Sequence, residues 1–121
     1  MKSRLSASFR HAVRGMRVVF VGERNFRIQI TVALIAIVLA SVLSVKPWEF
    51  ILIVLLSASV LTLELFNTVV ERMADGLSPR LKPIVRDIKD MMAAAVLLVS
   101  LTAAVAGLII FLPYLQGLLL A

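Results

Sequence analysis

The stretch Phe50–Asp75, FILIVLLSASVLTLELFNTVVERMAD, decides the fold. It holds no charge from Phe50 through Leu63, and apolar residues continue to Val70 around Glu64 and Asn67. Read as a helix over residues 50–71, it is long enough to cross the ~30 Å hydrocarbon core of a bilayer. Glu64 then lies ~21 Å along the axis from Phe50, several ångströms inside the far boundary. An ionisable group there is costly on membrane-insertion scales, so its retention points to chemistry.

Working outward, Lys46-Pro47-Trp48-Glu49 reads as a short polar turn, with Trp48 suited to the membrane interface. Before it, residues 28–45 form an uncharged run that rises ~27 Å as a helix. On the other side, residues 75–83 (DGLSPRLKP) contain one Gly and two Pro and read as a loop. No charge occurs from Met91 to Ala121, and Pro113 marks the expected end of a third span over residues 89–112. The fold class is therefore an all-α membrane protein with three transmembrane helices, in one domain over residues 1–121.

Composition agrees. The 121 residues are 61% hydrophobic, with a mean hydropathy of +1.03. An ordinary globular protein is roughly 45–50% apolar. The chain is also too short to build a separate nucleotide domain beside its spans. Lacking cysteine, it has no disulfide staples, thiolate zinc sites or cysteine nucleophile.

The net charge of +6 is unevenly placed. Lys2, Arg4, Arg10, Arg14, Arg17, Arg24 and Arg27 precede the first span. Arg72, Arg80, Lys82, Arg86 and Lys89 flank the second loop, which leaves only Lys46 in the first turn. The positive-inside rule then puts the N-terminus and second loop in the cytoplasm, with the first turn and C-terminus outside. A cleavable signal peptide does not fit, because the apolar run starts only after a long charged region.

Residues 3–22 read as an amphipathic surface helix. Phe9, Val13, Met16 and Phe20 recur at helical spacing beside a basic stripe of Arg10, Arg14 and Arg17. That pattern suits a helix lying among lipid headgroups.

The acids carry the functional signal. Glu64, Asn67, Glu71 and Asp75 stand at i, i+3, i+7 and i+11 and share one helical stripe. Two carboxylates and a carboxamide on one face can present oxygen ligands to Mg²⁺ while a deeper carboxylate stays free as a base. Arg80, Lys82, Arg86 and Lys89, with Asp90 next to Lys89, supply cations at the same end. Acids beside cations at the inner face are what an ATP–Mg²⁺ site needs, because phosphoryl transfer depends on positioning and charge neutralisation. Neither GxxxxGK[ST] nor GxGxxG occurs. Glu23 with Arg24 and Arg27 also fits a solvated surface ion-pair cluster.

Two other classes compete. Small residues at Ser100/Ala104 and Ala103/Gly107 suit a non-catalytic helical oligomer, either a channel or a scaffold. A pore stripe should cross the whole membrane, whereas the acids and amide of the second span lie in its cytoplasmic third. Nucleic-acid binding rests on basicity alone, without interleaved aromatics, and is discounted.

Four motifs then match a family: FRHAVRGMR (Phe9–Arg17), GERNFRIQ (Gly22–Gln29), LELFNTVVERMAD (Leu63–Asp75) and DIKDMMAAAVLL (Asp87–Leu98). In order and spacing the chain resembles the prokaryotic integral-membrane diacylglycerol/undecaprenol kinases over nearly its whole length. The resemblance implies a multi-pass protein of the bacterial cytoplasmic (inner) membrane. It also implies a homotrimer with active sites between subunits, and transfer of the ATP γ-phosphate to a membrane lipid alcohol with Mg²⁺ as cofactor.

By position, Glu64 resembles the catalytic base, and Glu23 and Glu71 resemble the metal ligands that hold ATP. The resemblance places Arg4, His11, Arg80, Lys82, Lys89 and Asp90 at the nucleotide. Asn67, Asp75 and Ala93 fall at polar or lipid-facing positions of the site. His11 stands where some members have Tyr, and the loop lacks the HxLSGRAKD-like run of the Gram-negative diacylglycerol kinases. The HAxxG and ERNF features look closer to the undecaprenol kinase branch.

Overall fold

The computed structural model describes residues 2–77 and 82–121, and among them every regular element is an α-helix. Helix α1 spans Lys2–Gly22, α2 Arg24–Val42, α3 Pro47–Leu77 and α4 Lys82–Leu120. Three of them, α2, α3 and α4, are long and apolar enough to cross a membrane. α3 is central and packs against both α2 and α4, while α1 touches α2. This is the architecture anticipated from the sequence, an amphipathic helix followed by three candidate spans.

Ala40, Ile53 and Ile110 form the buried core where α2, α3 and α4 meet, with Ile37, Phe50 and Phe111 packed around them. Long side chains such as Leu34, Ile35, Leu101, Leu108 and Ile109 remain exposed on the outer faces. So large an apolar surface is untenable in water but costs nothing against lipid tails. The chain is a membrane protein.

Several helix ends differ from the sequence reading. The first uncharged run extends to Val45, yet α2 stops at Val42. Ser44 takes a left-handed φ of 52°. Its N–H donates to the Ser41 carbonyl (3.2 Å), and the Val45 N–H donates to the Ala40 carbonyl (3.2 Å). These are the two bonds of a Schellman motif, completed by Val45 packing on the cluster that contains Ala40. Hydropathy cannot see such a stop.

Residues 75–83 are not all loop: α3 runs on through Asp75 and Gly76 to Leu77, and α4 already starts at Lys82. The acidic stripe is thus helical over its whole length. Pro113 lies inside α4 rather than at its end. Proline forfeits one helical donor, yet α4 continues past it to Leu120.

The turn between α2 and α3 is tied down. Pro47 occupies the first helical position, and the Glu49 side chain accepts the Lys46 backbone N–H at 3.0 Å, one half of a capping box. The Tyr114 hydroxyl of α4 donates to the same carboxylate oxygen. Glu49 is only 9% exposed.

Candidate active site

Glu23 is the single residue between α1 and α2, with an extended backbone (φ −120°, ψ 111°). Its N–H donates to the Val19 carbonyl at 2.8 Å, and its carbonyl accepts the Arg27 N–H at 3.3 Å. Both helical ladders therefore reach it, and the hinge is one residue long. Phe26, 1% exposed, anchors the start of α2. Carbonyls at the end of α1 have no helical donors. Arg27 Nη1 supplies them, donating to Phe20 O at 2.8 Å and Val21 O at 3.0 Å. Arg27 is thus a backbone clamp. The surface ion-pair reading of this segment does not hold, since Lys89–Asp75 is the one ion pair among the described residues.

On α3, Glu64 is 7% exposed, and its backbone carbonyl accepts the buried Thr68 hydroxyl at 3.1 Å. Asn67 Nδ2 donates to Glu71 Oε1 at 3.5 Å. The charged neighbours of Glu64 are Glu23 and Glu71. The fold therefore brings together Glu23 from the hinge and Glu64, Asn67 and Glu71 from α3. A shielded carboxylate whose near neighbours are other carboxylates is a poor stabilising device and a natural place for a cation or a proton to be handled.

Asp75, further along the stripe, is joined to α4 through Lys89, whose Nζ lies 2.8 Å from Oδ1. Lys82, Arg86, Asp87, Lys89 and Asp90 line an open basin of about 940 Å³ at the head of α4. Ala93 is exposed one turn beyond. The structure does not draw every expected residue into this arrangement. His11 instead lines a groove between α1 and α3, and exposed Arg4 makes no hydrogen bond or ion pair among the described residues. Arg80 lies outside the described residues.

Sequence reading missed Arg72. A Cβ built on Gly22 would stand 3.3 Å from Arg72 Nη2, so this guanidinium is held over the hinge. Its signal in the sequence is a glycine directly before Glu23 paired with an arginine directly after Glu71.

The model of the family described as prokaryotic diacylglycerol kinase matches residues 10–111, a range that contains the hinge, the α3 stripe and the head of α4. The chain belongs to the prokaryotic diacylglycerol kinase family. The undecaprenol kinase of Bacillus subtilis is 32% identical over 111 residues, covering 92% of this chain and 90% of the relative. A diacylglycerol kinase of a Synechocystis species is 34% identical over 116 residues, covering 95% of this chain and 66% of the relative. As a member of the prokaryotic diacylglycerol kinases the chain is a lipid kinase that uses ATP as phosphoryl donor. Arg4 lies outside the matched range.

Proposed function

We propose that this protein phosphorylates the hydroxyl of undecaprenol or diacylglycerol at the cytoplasmic face of a bacterial inner membrane. The observation that carries this reading is the placement of buried Glu64 beside Glu23 and Glu71 on a helix of membrane-spanning character. Glu64 takes the proton of the lipid hydroxyl as its oxygen attacks the γ-phosphorus of ATP. The bond from that phosphorus to the β–γ bridging oxygen breaks, and ADP leaves. Lys82, Lys89 and Asp90 fix the nucleotide at the head of α4, and Asn67 and Ala93 border the acceptor. Arg4, His11 and Arg80 are proposed to approach the nucleotide in the assembled protein.

The oxygen donors present suit Mg²⁺. Among the described residues no group of three or more His, Cys, Asp or Glu side chains forms a closed cation site. Mg²⁺ is ordinarily held by one or two carboxylates together with substrate phosphates, and Glu23 and Glu71 provide that pair. When bound, the ion supplies neutralisation of the phosphate charge.

The charge asymmetry supports a cytoplasmic N-terminus and an external C-terminus. The exposed apolar faces of α2 and α4 and the family's composite sites support a homotrimer. The GERNF features and the nearly end-to-end match to the Bacillus undecaprenol kinase favour undecaprenol as the acceptor. Purified protein in mixed micelles, assayed with radiolabelled ATP and either lipid, tests the proposal. Faster labelling of undecaprenol supports it, a preference for diacylglycerol reassigns the substrate, and labelling of neither overturns it.

A further inference from the structure

Arg72 directly follows Glu71 on α3. Its guanidinium is laid over the end of α1, where a Cβ on Gly22 would stand 3.3 Å from Nη2. Arg72 is thus next in sequence to one carboxylate proposed to hold Mg²⁺, and it reaches the residue that precedes the other, Glu23. A guanidinium in such company ordinarily closes an ion pair. Arg72 does not, because Lys89–Asp75 is the one ion pair among the described residues, and Glu71 accepts from Asn67 instead. The end of α1 gives it no firm partner either, since Arg27 already supplies the Phe20 and Val21 carbonyls. What holds it there is the negative end of a helix dipole, a weak attraction at an exposed site.

Glycine at position 22 is explained by this guanidinium. No glycine among the described residues has a positive φ, so the backbone does not demand one here. Space does, because a Cβ would press on Nη2 at less than ordinary van der Waals distance. The level along α3 also fits the reaction. Arg72 lies eight residues beyond Glu64, ~12 Å along the axis, and the Lys89–Asp75 pair brings the head of α4 to the same end of α3. Arg72 and His11 line one groove, and none of the residues lining it is acidic.

We propose that Arg72 is a further catalytic residue, donating to the γ-phosphoryl group of ATP during its transfer, and that Gly22 is the glycine that admits it. The proposal rests on the lipid-kinase reading. In the step, the lipid hydroxyl oxygen bonds to the γ-phosphorus and its proton passes to Glu64. The bond from that phosphorus to the β–γ bridging oxygen breaks, and its electron pair leaves on ADP. Arg72 exchanges neither proton nor electrons. Charge in the transition state spreads over the three equatorial oxygens of the phosphoryl group, and the planar guanidinium fork matches two of them. Lys89 is already engaged by Asp75, whereas Arg72 brings an uncommitted charge. A contact made only to the γ-phosphoryl group separates Arg72 from Lys82, Lys89 and Asp90, which are proposed to fix the nucleotide at the head of α4.

The test uses full-length protein in nanodiscs of neutral lipid with Mg²⁺. The wild type, Arg72→Gln, Arg72→Lys, Gly22→Ala and the Gly22→Ala/Arg72→Gln double variant are compared. Calorimetry reads the binding of β,γ-imido ATP and of ADP, and radiolabelled ATP reads phosphorylation of undecaprenol and diacylglycerol. An arginine at a transferring phosphoryl group contributes ~10³–10⁵ in kcat, so Arg72→Gln should lower kcat at least a hundredfold. It should weaken binding of the imido analogue at least tenfold and leave ADP affinity within twofold of wild type. Arg72→Lys, which keeps the charge and loses the fork, should recover part of each effect. Gly22→Ala shifts the guanidinium without removing it and should lower kcat severalfold, but add nothing in the Arg72→Gln background. Equal losses of analogue and ADP affinity, with a lowered thermal midpoint, reduce Arg72 to a structural role and overturn the assignment. So does wild-type kcat in Arg72→Gln, or a Gly22→Ala loss that persists in full in the double variant. Nucleotide binding needs no turnover. A wild type that labels neither lipid, yet loses the imido analogue and keeps ADP on Arg72→Gln, defeats the kinase reading and leaves the γ-phosphoryl contact standing.

Discussion

Lys89 Nζ lies 2.8 Å from Asp75 Oδ1, an ion pair that joins α3 to the head of α4. Both partners belong to the sequence motifs of the proposed site, and both side chains remain solvent-accessible. Exposed pairs contribute little to stability. The value of this one lies in alignment, because it sets the basin at the head of α4, where the nucleotide is proposed to bind, against the acidic stripe of α3. Asp75→Asn should therefore leave the thermal midpoint nearly unchanged while lowering kcat/KM for ATP at least tenfold. Parallel thermal unfolding and kinase assays check this. A large loss of stability with unchanged kinetics would contradict it.

Glu64→Gln keeps the shape of the side chain and removes its ability to take a proton. A positioned general base contributes ~10²–10⁴-fold, so phosphorylation should fall by that order while the protein remains assembled. Lipid labelling with radiolabelled ATP, alongside size-exclusion chromatography, measures both. Substantial residual turnover would remove Glu64 from the base role.

Glu71→Ala removes one of the two carboxylates proposed to hold Mg²⁺ and strips Asn67 of its partner at 3.5 Å. The Mg²⁺ concentration needed for half-maximal activity should rise at least severalfold at fixed ATP. An unchanged Mg²⁺ titration would count against the assignment.

Arg27 acts on the site through the backbone. Its two bonds, to the Phe20 and Val21 carbonyls, close the end of α1 beside Glu23. Arg27→Gln should cost about 1–2 kcal/mol, widen the distribution of α1–α2 distances seen by spin labels, and raise the Mg²⁺ requirement. Arg27→Lys reaches one carbonyl at most and should recover only part of each effect. A Gln variant with wild-type label distances would show that the clamp is dispensable.

Far from the acids, the Tyr114 hydroxyl and the Lys46 N–H converge on Glu49. Tyr114→Phe leaves that shielded carboxylate one donor short. The midpoint of thermal inactivation should drop by several degrees, with KM for ATP unaltered because Glu49 precedes Glu64 by ~22 Å of helix. Temperature-dependent activity measurements test the separation.

Much of this protein is legible locally. Uninterrupted apolar runs reveal the spanning helices because a lipid environment demands them, and the spacing of Glu64, Asn67 and Glu71 reveals a shared face because helical periodicity does. The stripe's continuation into helix past Asp75 was hidden by a Gly- and Pro-rich composition that reads as loop. The stop at Ser44 was hidden too, since a left-handed serine closing a Schellman motif leaves no hydropathy mark.

The sequence by itself therefore determined the class of fold, the distribution of charge and the residues able to do chemistry, all of which follow from near-neighbour periodicity and hydropathy. Only the tertiary structure decided that Glu23 sits beside Glu64, that Arg27 serves the backbone rather than a carboxylate, and that Lys89 meets Asp75. It likewise placed His11 and Arg72 on one groove. Those relationships depend on how helices cross and where a one-residue hinge turns the chain. Both are set by packing between distant segments, for which spacing along a single helix carries no information.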